Sequence, residues 1–255
     1  MKRTAFWRVM CAILVTALAF ATVSCDSTAT GGGDGTGTSS DTPKKRVAMT
    51  FDDGPHNVRT RAIVDELAKY GFNATFFVVG NRVDGTEMNC EATVRYIIEK
   101  GNEVGIHGYT HGVYYNSCSD EEYEYELKQT KKAITAAAEG YEVSLMRPIG
   151  GAISAERAAE CEYSVVMWDV DSLDYEHRYS SADAEGAAEK RDAIVENVMS
   201  QVKDGSIILM HDIYFSTVEA TAVILKQLHE AGYEVVTVSQ LIGDPQSGVK
   251  YFNGN

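Results

Sequence analysis

The sequence has few positive charges. Its 23 Lys and Arg residues stand against 37 Asp and Glu residues, so the 255-residue chain has a formal net charge of −14 at pH 7. Such a surface repels phosphate backbones, which argues against a nucleic-acid-binding protein and against tight electrostatic capture of anionic polymers. No internal repeat is visible. The sequence therefore predicts a single acidic domain rather than a repeat array or a nucleic-acid partner.

Long apolar runs are also scarce. Three positive charges among the first eight residues precede one run from Val9 to about Val23, a pattern typical of a secretory signal rather than a full membrane span. The following Cys25 resembles the lipidated cysteine of a bacterial lipobox, although Thr22 stands where that pattern has an aliphatic residue. We predict a lipoprotein-type signal peptide over 1–24 and a flexible Gly/Ser/Thr linker over 25–43.

This N-terminal pattern predicts an exported protein, anchored to the bacterial cell membrane through a lipid on Cys25 and facing the extracytoplasmic side. Ordinary cleavage after a small residue, or an uncleaved anchor, are the alternatives. Cleavage before Cys25 removes three positive charges and no acid, which makes the net charge −17.

Cysteine is sparse in the predicted folded domain, which contains only Cys90, Cys118 and Cys161. A disulfide is possible in an oxidising compartment. Cys90 and Cys118 lie in loop-like sequence and are the preferred pair. Cys161 precedes a buried strand and is predicted to be an inert core thiol.

Strand and helix patterns alternate from about Lys44 onward. The remaining two hundred or so residues suffice for one sizeable domain, predicted over 44–255. The predicted strands are 47–51, 74–79, 103–106, 145–147, 164–169, 206–211 and 234–238. Strands alternating with helices imply a parallel sheet with right-handed crossovers. We therefore predict an α/β fold, a distorted (β/α) barrel with about seven parallel strands.

Two adjacent carboxylates, Asp52 and Asp53, end the first apolar strand, and Gly54-Pro55 turns the chain directly after them. The carboxyl ends of strands are where α/β folds place their chemistry. Neighbouring side chains diverge on a strand, so the turn must redirect one of them if both are to face one site. Two close negative charges are costly unless a cation or a shared proton relieves them, which predicts a metal.

His107 and His111 follow another predicted strand and are four residues apart. If a helical turn begins at Gly108, both imidazoles lie on one face and can bind one metal. Together with Asp53 they offer three N/O ligands and leave positions open, as in a catalytic site. Zinc is favoured, and cobalt, nickel or another borderline ion is an alternative.

Five motifs occur in an order that resembles the polysaccharide deacetylases of carbohydrate esterase family four, which includes peptidoglycan and chitin deacetylases. They are TFDDGP at 50–55, HGYTH at 107–111, RPIGG at 147–151, WDVDSLDY at 168–175 and LMHD at 209–212. The resemblance spans about 46–241. It departs where Ile149 replaces a proline, where Gly150 replaces a frequent aromatic residue, and where Tyr175 replaces a tryptophan.

The resemblance implies a role for each matching position. Asp53, His107 and His111 match the metal ligands, and Asp52 matches the general base. The other roles are Arg147 as partner of the base, His211 as general acid, Asp174 as the carboxylate that orients the acid, the backbone N–H of Gly150 as oxyanion donor, and Trp168, Tyr175 and Leu209 as groove residues.

These residue types suit amide hydrolysis. A metal can lower the pKa of water to about 7 in favourable sites, a rigid N–H stabilises developing oxyanion charge, and an amine leaving group needs an acid such as histidine. The sequence thus predicts metal-dependent removal of acetyl groups from N-acetylated sugars of a polysaccharide, such as peptidoglycan or chitin-like N-acetylglucosamine. An O-acetyl xylan esterase and a catalytically silent carbohydrate-binding protein are the alternatives.

The remaining histidines and acidic residues receive plainer interpretations. We expect His56 and His229 not to be metal ligands, and His177 to be at most a substrate contact. The acidic run 120–126 is interpreted as a solvated helix start favoured by the helix dipole.

Overall fold

A computed structural model describes residues 44–86 and 88–255. The predicted signal peptide and linker lie outside these residues. Within the described part, none of the helices combines the length and the apolar character that a membrane crossing requires.

The described part forms one sheet of nine strands. In chain order they are β1 Lys45–Asp52, β2 Thr75–Val78, β3 Glu103–Ile106, β4 Leu145–Met146, β5 Ser164–Val166, β6 Val170–Asp171, β7 Ile207–His211, β8 Tyr233–Val236 and β9 Lys250–Tyr251. Their order is β6-β7-β1-β2-β3-β4-β5-β9, with β8 also paired to β1. Every pairing between two of these strands is parallel. The predicted distorted (β/α) barrel is confirmed.

Eight helices accompany the strands in the described part. They are α1 Arg59–Lys69, α2 Gly80–Asp84, α3 Glu91–Glu99, α4 Asp120–Ala137, α5 Ala155–Ala159, α6 Ala187–Met199, α7 Phe215–Glu230 and α8 Val238–Ile242. Helix α1 buries Ile63, Val64 and Leu67, whose spacing places them on one face toward the core. Helix α4 begins with a capping box in which Ser119 and Glu122 satisfy each other's backbone N–H groups.

All seven predicted strands are present, and two strands are additional. β6 and β9 have two residues each, one of them charged, so no apolar run marks them. β4 is equally short, but its Leu145 and Met146 are both apolar. The two additional strands add to the two ends of the predicted sheet, β6 beside β7 and β9 beside β5. The parallel arrangement brings the carboxyl ends of β1, β3, β4 and β7 to one edge, and each of these strands ends at or just before a predicted site residue.

The preferred Cys90–Cys118 disulfide is not formed, and all three cysteines of the described part are free. Cys90 is fully buried at the start of α3, whereas the sulfur of Cys118 lies 3.2 Å from the guanidinium of Arg157. The loop-like sequence around each of these two cysteines does not determine the distance between their sulfur atoms. Cys161 is buried, as predicted, and burial raises the pKa of its thiol.

Candidate active site

The turn after β1 redirects Asp53. Asp52 is the last residue of β1, and Asp53 has a left-handed backbone with φ of 71°. That conformation is uncommon for a residue other than glycine and turns the Asp53 side chain away from the strand's alternation. A Cβ atom on the following Gly54 would lie 2.3 Å from both carboxylate oxygens of Asp212. The turn thus has room for no side chain at position 54.

A buried network holds the same turn from the side of β7. The hydroxyl of Thr60 donates to Asp212 and accepts the backbone N–H of His56 at 2.8 Å. Asp212 is fully buried, and burial raises the pKa of its carboxyl to about 7. The His56 Nδ1 accepts from the N–H groups of Val58 and Arg59 at the start of α1, a capping contact that agrees with its exclusion from the metal ligands.

The three predicted metal ligands converge. Ligand atoms of Asp53, His107 and His111 all lie within 4.8 Å of one another. Asp53 Oδ1 is 2.8 Å from the Nε2 of His111 and 3.4 Å from the Nε2 of His107. His107 directly follows β3 and is buried, while the His111 side chain is 42% exposed. One side of the triad therefore faces the interior and the other is open to solvent.

The tautomer of His107 fits a metal ligand. Its Nδ1 lies 2.9 Å from the carbonyl oxygen of Arg147, which can only accept, so the proton belongs on Nδ1. When His107 is neutral, as a metal ligand must be, its lone pair is therefore on Nε2, the nitrogen that faces Asp53, as in histidine ligands whose second nitrogen is fixed by a carbonyl. The residues present therefore fit a divalent cation with N/O ligands.

The charges within the triad are strongly coupled. Burial alone would raise the pKa of Asp53, but hydrogen bonds from His107 and His111 and the charges of His107 and His211 outweigh it and hold that pKa well below its ordinary value. Burial opposes protonation of His107, yet the nearby Asp52 and Asp53 raise its pKa. These carboxylates make the site attractive to a cation.

Asp52 lies beside the triad in an ion pair with Arg147. The guanidinium of Arg147 donates to Asp52 Oδ1 at 2.8 Å and to the hydroxyl of Thr50 at 2.7 Å. Arg147 is fully buried, with its guanidinium over the rings of Phe77 and Trp168. The other carboxylate oxygen of Asp52 is 3.7 Å from the Nε2 of His107 and accepts no hydrogen bond from the described residues. This arrangement leaves one oxygen of Asp52 available to take a proton.

His211 faces the same site from β7. It is in register with Asp52 of β1, so the two side chains lie on the same side of the sheet. Its Nδ1 is 2.7 Å from Oδ1 of the fully buried Asp174, whose Oδ2 accepts from the His211 backbone N–H and from the hydroxyl of Thr217. Burial would lower the pKa of His211, but the hydrogen bond and charge of Asp174 raise it to about 9.

Two of the predicted groove residues contact this centre, Tyr175 through His211 and Trp168 through Arg147. Gly150 is exposed with φ of 59° in a short 3₁₀ turn after β4, and its N–H donates to no backbone carbonyl of the described chain. Tyr175 is 37% exposed, and its ring meets that of His211 edge-on with the centroids 5.7 Å apart. Trp168 is partly exposed, whereas Leu209 is 5% exposed within β7 and presents little surface to a polymer.

Sequence reasoning missed one residue next to the site. Glu126 was grouped with the solvated start of α4, but it is 1% exposed and binds the segment between the two histidines. A signal was present, because Glu126 precedes Thr130 by four residues and Ala133 by seven, on the apolar stripe of the helix. A carboxylate on a buried stripe requires hydrogen-bond donors.

The other histidines lie away from the ligands. His229 packs against the rings of Tyr70 and Phe72. The backbone N–H of His177 donates to the Asp174 carbonyl, and no described contact involves its imidazole.

Comparison with known proteins agrees with this geometry. Residues 39–166 match the family model described as polysaccharide deacetylase. The chain belongs to the polysaccharide deacetylase family. It is 33% identical over 205 residues to a peptidoglycan-N-acetylglucosamine deacetylase of Bacillus cereus, covering 78% of this chain and 89% of that protein.

A second relative is longer. The chain is 38% identical over 201 residues to the peptidoglycan-N-acetylmuramic acid deacetylase PdaC of Bacillus subtilis, covering 79% of this chain but 39% of PdaC. The chain thus spans about two fifths of that relative's length. The solved PdaC structure superimposes with a TM-score of 0.68 at 36% identity, over 78% of this chain and 90% of that one.

A third similarity concerns another acetylated polymer. The structure of a family 4 acetyl xylan esterase from Clostridium thermocellum, in complex with a cobalt ion, gives a TM-score of 0.70 at 29% identity. It covers 82% of this chain and 98% of that chain. The family expected from the five motifs is confirmed.

Proposed function

We propose that this protein is a metal-dependent N-deacetylase that releases acetate from N-acetylated sugars of peptidoglycan. The observation that carries the proposal is the convergence of Asp53, His107 and His111, flanked by an Arg147-paired Asp52 on one side and an Asp174-paired His211 on the other. The names of the Bacillus relatives support peptidoglycan as the polymer.

Asp53, His107 and His111 would hold the divalent cation, with zinc favoured by its preference for these N/O ligands. The cation bound by the Clostridium thermocellum relative is cobalt, which the same donor set also suits. When bound, the cation supplies Lewis acidity to the attacking water and to the acetyl carbonyl.

Asp52 takes the proton of the attacking water through its free carboxylate oxygen. Arg147 fixes the orientation of this carboxylate, because one oxygen is held at 2.8 Å by a buried guanidinium. The backbone N–H of Gly150 donates to the carbonyl oxygen as negative charge develops there.

His211 donates a proton from Nε2 to the leaving nitrogen, since its Nδ1 is occupied by Asp174. With a pKa of about 9 it carries that proton at neutral pH. An amine anion is a very poor leaving group, so this proton transfer is required for the C–N bond to break. Tyr175 and Trp168 would line the sugar groove, to which Leu209 adds little surface because it is 5% exposed.

The deciding experiment measures acetate released by the zinc-loaded protein from peptidoglycan, chitooligosaccharides and acetylxylan. We expect release from peptidoglycan. Release from acetylxylan alone would overturn the amidase assignment in favour of an esterase, and no release from any substrate would favour a silent binding protein.

The same assay tests the general base. Asp52→Ala should lower turnover by a factor of about 10² to 10⁴, the usual contribution of general acid–base catalysis. Asp65→Ala on the outer side of α1 is a matched control and should retain activity. Near-normal rates for Asp52→Ala would refute the base assignment.

A further inference from the structure

The segment that joins the two histidine ligands is enclosed between two helices. On one side, the carbonyls of Gly108 and Tyr109 accept hydrogen bonds from the N–H groups of Gly80 and Asn81, at 2.9 and 3.0 Å, in the first turn of α2. These contacts satisfy the two carbonyl groups of the segment that point toward α2. Its N–H groups face the opposite side, toward α4.

Glu126 of α4 receives those N–H groups. Its Oε2 accepts from the backbone N–H of Tyr109 and from that of Thr110, the latter at 2.9 Å. Its Oε1 accepts from the Thr110 hydroxyl at 2.7 Å. One buried carboxylate thus binds three donors from two consecutive residues between His107 and His111.

Glycine permits this close approach. A Cβ atom on Gly108 would lie 3.1 Å from the Oε2 of Glu126 and 3.0 Å from the hydroxyl of Tyr115. Gly108 also has φ of 81°, a conformation that favours glycine. Because position 108 has no side chain, residues 108–110 can approach the Glu126 carboxylate closely without displacing it.

The histidine at the end of the segment needs such support. His111 has φ of 58°, and a left-handed non-glycine residue persists only when its surroundings fix it. A buried carboxylate is itself costly unless its oxygens are hydrogen-bonded. The hydrogen bonds between Glu126 and residues 109–110 meet both requirements. They satisfy the buried carboxylate, and they link α4 to the backbone that carries His111.

We infer that Glu126 is a positioning residue of the metal site. Its contacts fix residues 108–110 so that the Nε2 atoms of His107 and His111 converge on Asp53. The inference rests on the proposed metal role of the two histidines. It assigns a function to a helix residue that contacts neither the ligand atoms nor the substrate groove.

The test is metal affinity rather than activity. Zinc would be titrated into the metal-free full chain in competition with a chelator, and cobalt would be bound to record its visible absorption spectrum. Glu126→Gln keeps the side-chain volume but replaces one acceptor oxygen with an NH₂ group. We expect it to weaken zinc binding by about 10- to 100-fold, as for other residues that orient ligands, and to change the cobalt spectrum.

Two further variants separate positioning from folding. Glu124 lies on the exposed side of α4. The control variant Glu124→Gln should therefore bind zinc as the wild type does. Thr110→Val, at an exposed residue, removes the hydroxyl that donates to Glu126 and that also accepts the Gly112 N–H at 3.3 Å. It should weaken zinc binding by about two- to tenfold, the effect of one hydrogen bond, and decides the matter if Glu126→Gln does not fold.

The outcomes are distinct. Failure of the wild type to bind zinc would overturn the proposed metal site itself. Wild-type zinc affinity and cobalt spectra in Thr110→Val and in folded Glu126→Gln would overturn the positioning role while leaving the proposed function intact. A lowered thermal midpoint of the metal-free Glu126→Gln with unchanged zinc affinity would show a merely structural residue and would also overturn it.

Discussion

Asp174 illustrates how single residues set the chemistry of this site. It is fully buried, and its two oxygens are shared among the imidazole and N–H of His211 and the hydroxyl of Thr217. Burial alone would lower the pKa of His211, but the hydrogen bond and charge of Asp174, followed by the charges of Asp52 and Asp53, raise it to about 9. Asp174 thereby makes the largest contribution to keeping the proposed acid protonated at neutral pH.

This account predicts the basic limb of the pH profile. A histidine with pKa of about 9 is protonated below that pH and loses its proton above it, so kcat/KM should fall above about pH 9. Asp174→Asn removes the charge that raises the pKa, and the limb should move by about two pH units or more toward the ordinary histidine value of about 6.5.

The measurement is kcat/KM for acetate release between pH 6 and pH 10. Glu176→Gln, an exposed residue of the same loop, is the control and should leave the profile in place. An unchanged basic limb in Asp174→Asn would show that this carboxylate does not set the pKa of the acid.

At the scale of elements, the turn between β1 and α1 is the most constrained connection near the site. Gly54 packs against the Asp212 carboxylate, and Thr60 joins that carboxylate to the backbone of His56. The turn therefore fixes the direction of Asp53 through contacts with β7 and α1 rather than through its own sequence.

Gly54→Ala should destabilise the protein. The added Cβ would lie 2.3 Å from the Asp212 oxygens, and overpacking of this kind costs about 1–3 kcal/mol of unfolding free energy. Gly112→Ala is the control, since its Cβ would meet only the Thr110 hydroxyl at 3.7 Å. Denaturant unfolding of both variants gives the comparison, and equal stabilities would disprove the steric argument.

Elements also show which features can be predicted from sequence. Seven strands and the ligand residues at their ends were predictable, because apolar runs, turn residues and the five motifs mark them locally. The strands β6 and β9 were not, since each contains a charged residue and no apolar run, whereas the equally short β4 is formed by Leu145 and Met146. Glu126 was misread because its acidic neighbours masked its place on the buried stripe of α4, and the Cys90–Cys118 pairing failed because loop character does not specify distance.

At the scale of the whole molecule, the acidic chain combines a compact domain with an N-terminal segment typical of export. The net charge of −14 gives the surface no general attraction for anionic polymers. Substrate recognition must therefore come from the groove around the triad, and proximity to the cell wall would come from the proposed lipid on Cys25.

Lipid anchoring makes a separate prediction. In cells that express the full chain, the wild type should sediment with the membrane fraction, and Cys25→Ser should not be lipidated. Cys118→Ser controls for loss of a thiol elsewhere in the chain. Equal membrane association of Cys25→Ser and the wild type would favour an uncleaved anchor over a lipid.

The most direct test of the account is the zinc content per chain after dialysis against zinc and removal of the free ion. The account predicts about one zinc per chain in the wild type and in Asp52→Ala, as in a three-ligand catalytic site. It predicts a large loss in His107→Ala and no loss in His177→Ala. A wild-type protein without zinc, or a His107→Ala variant that retains a full equivalent, would contradict it.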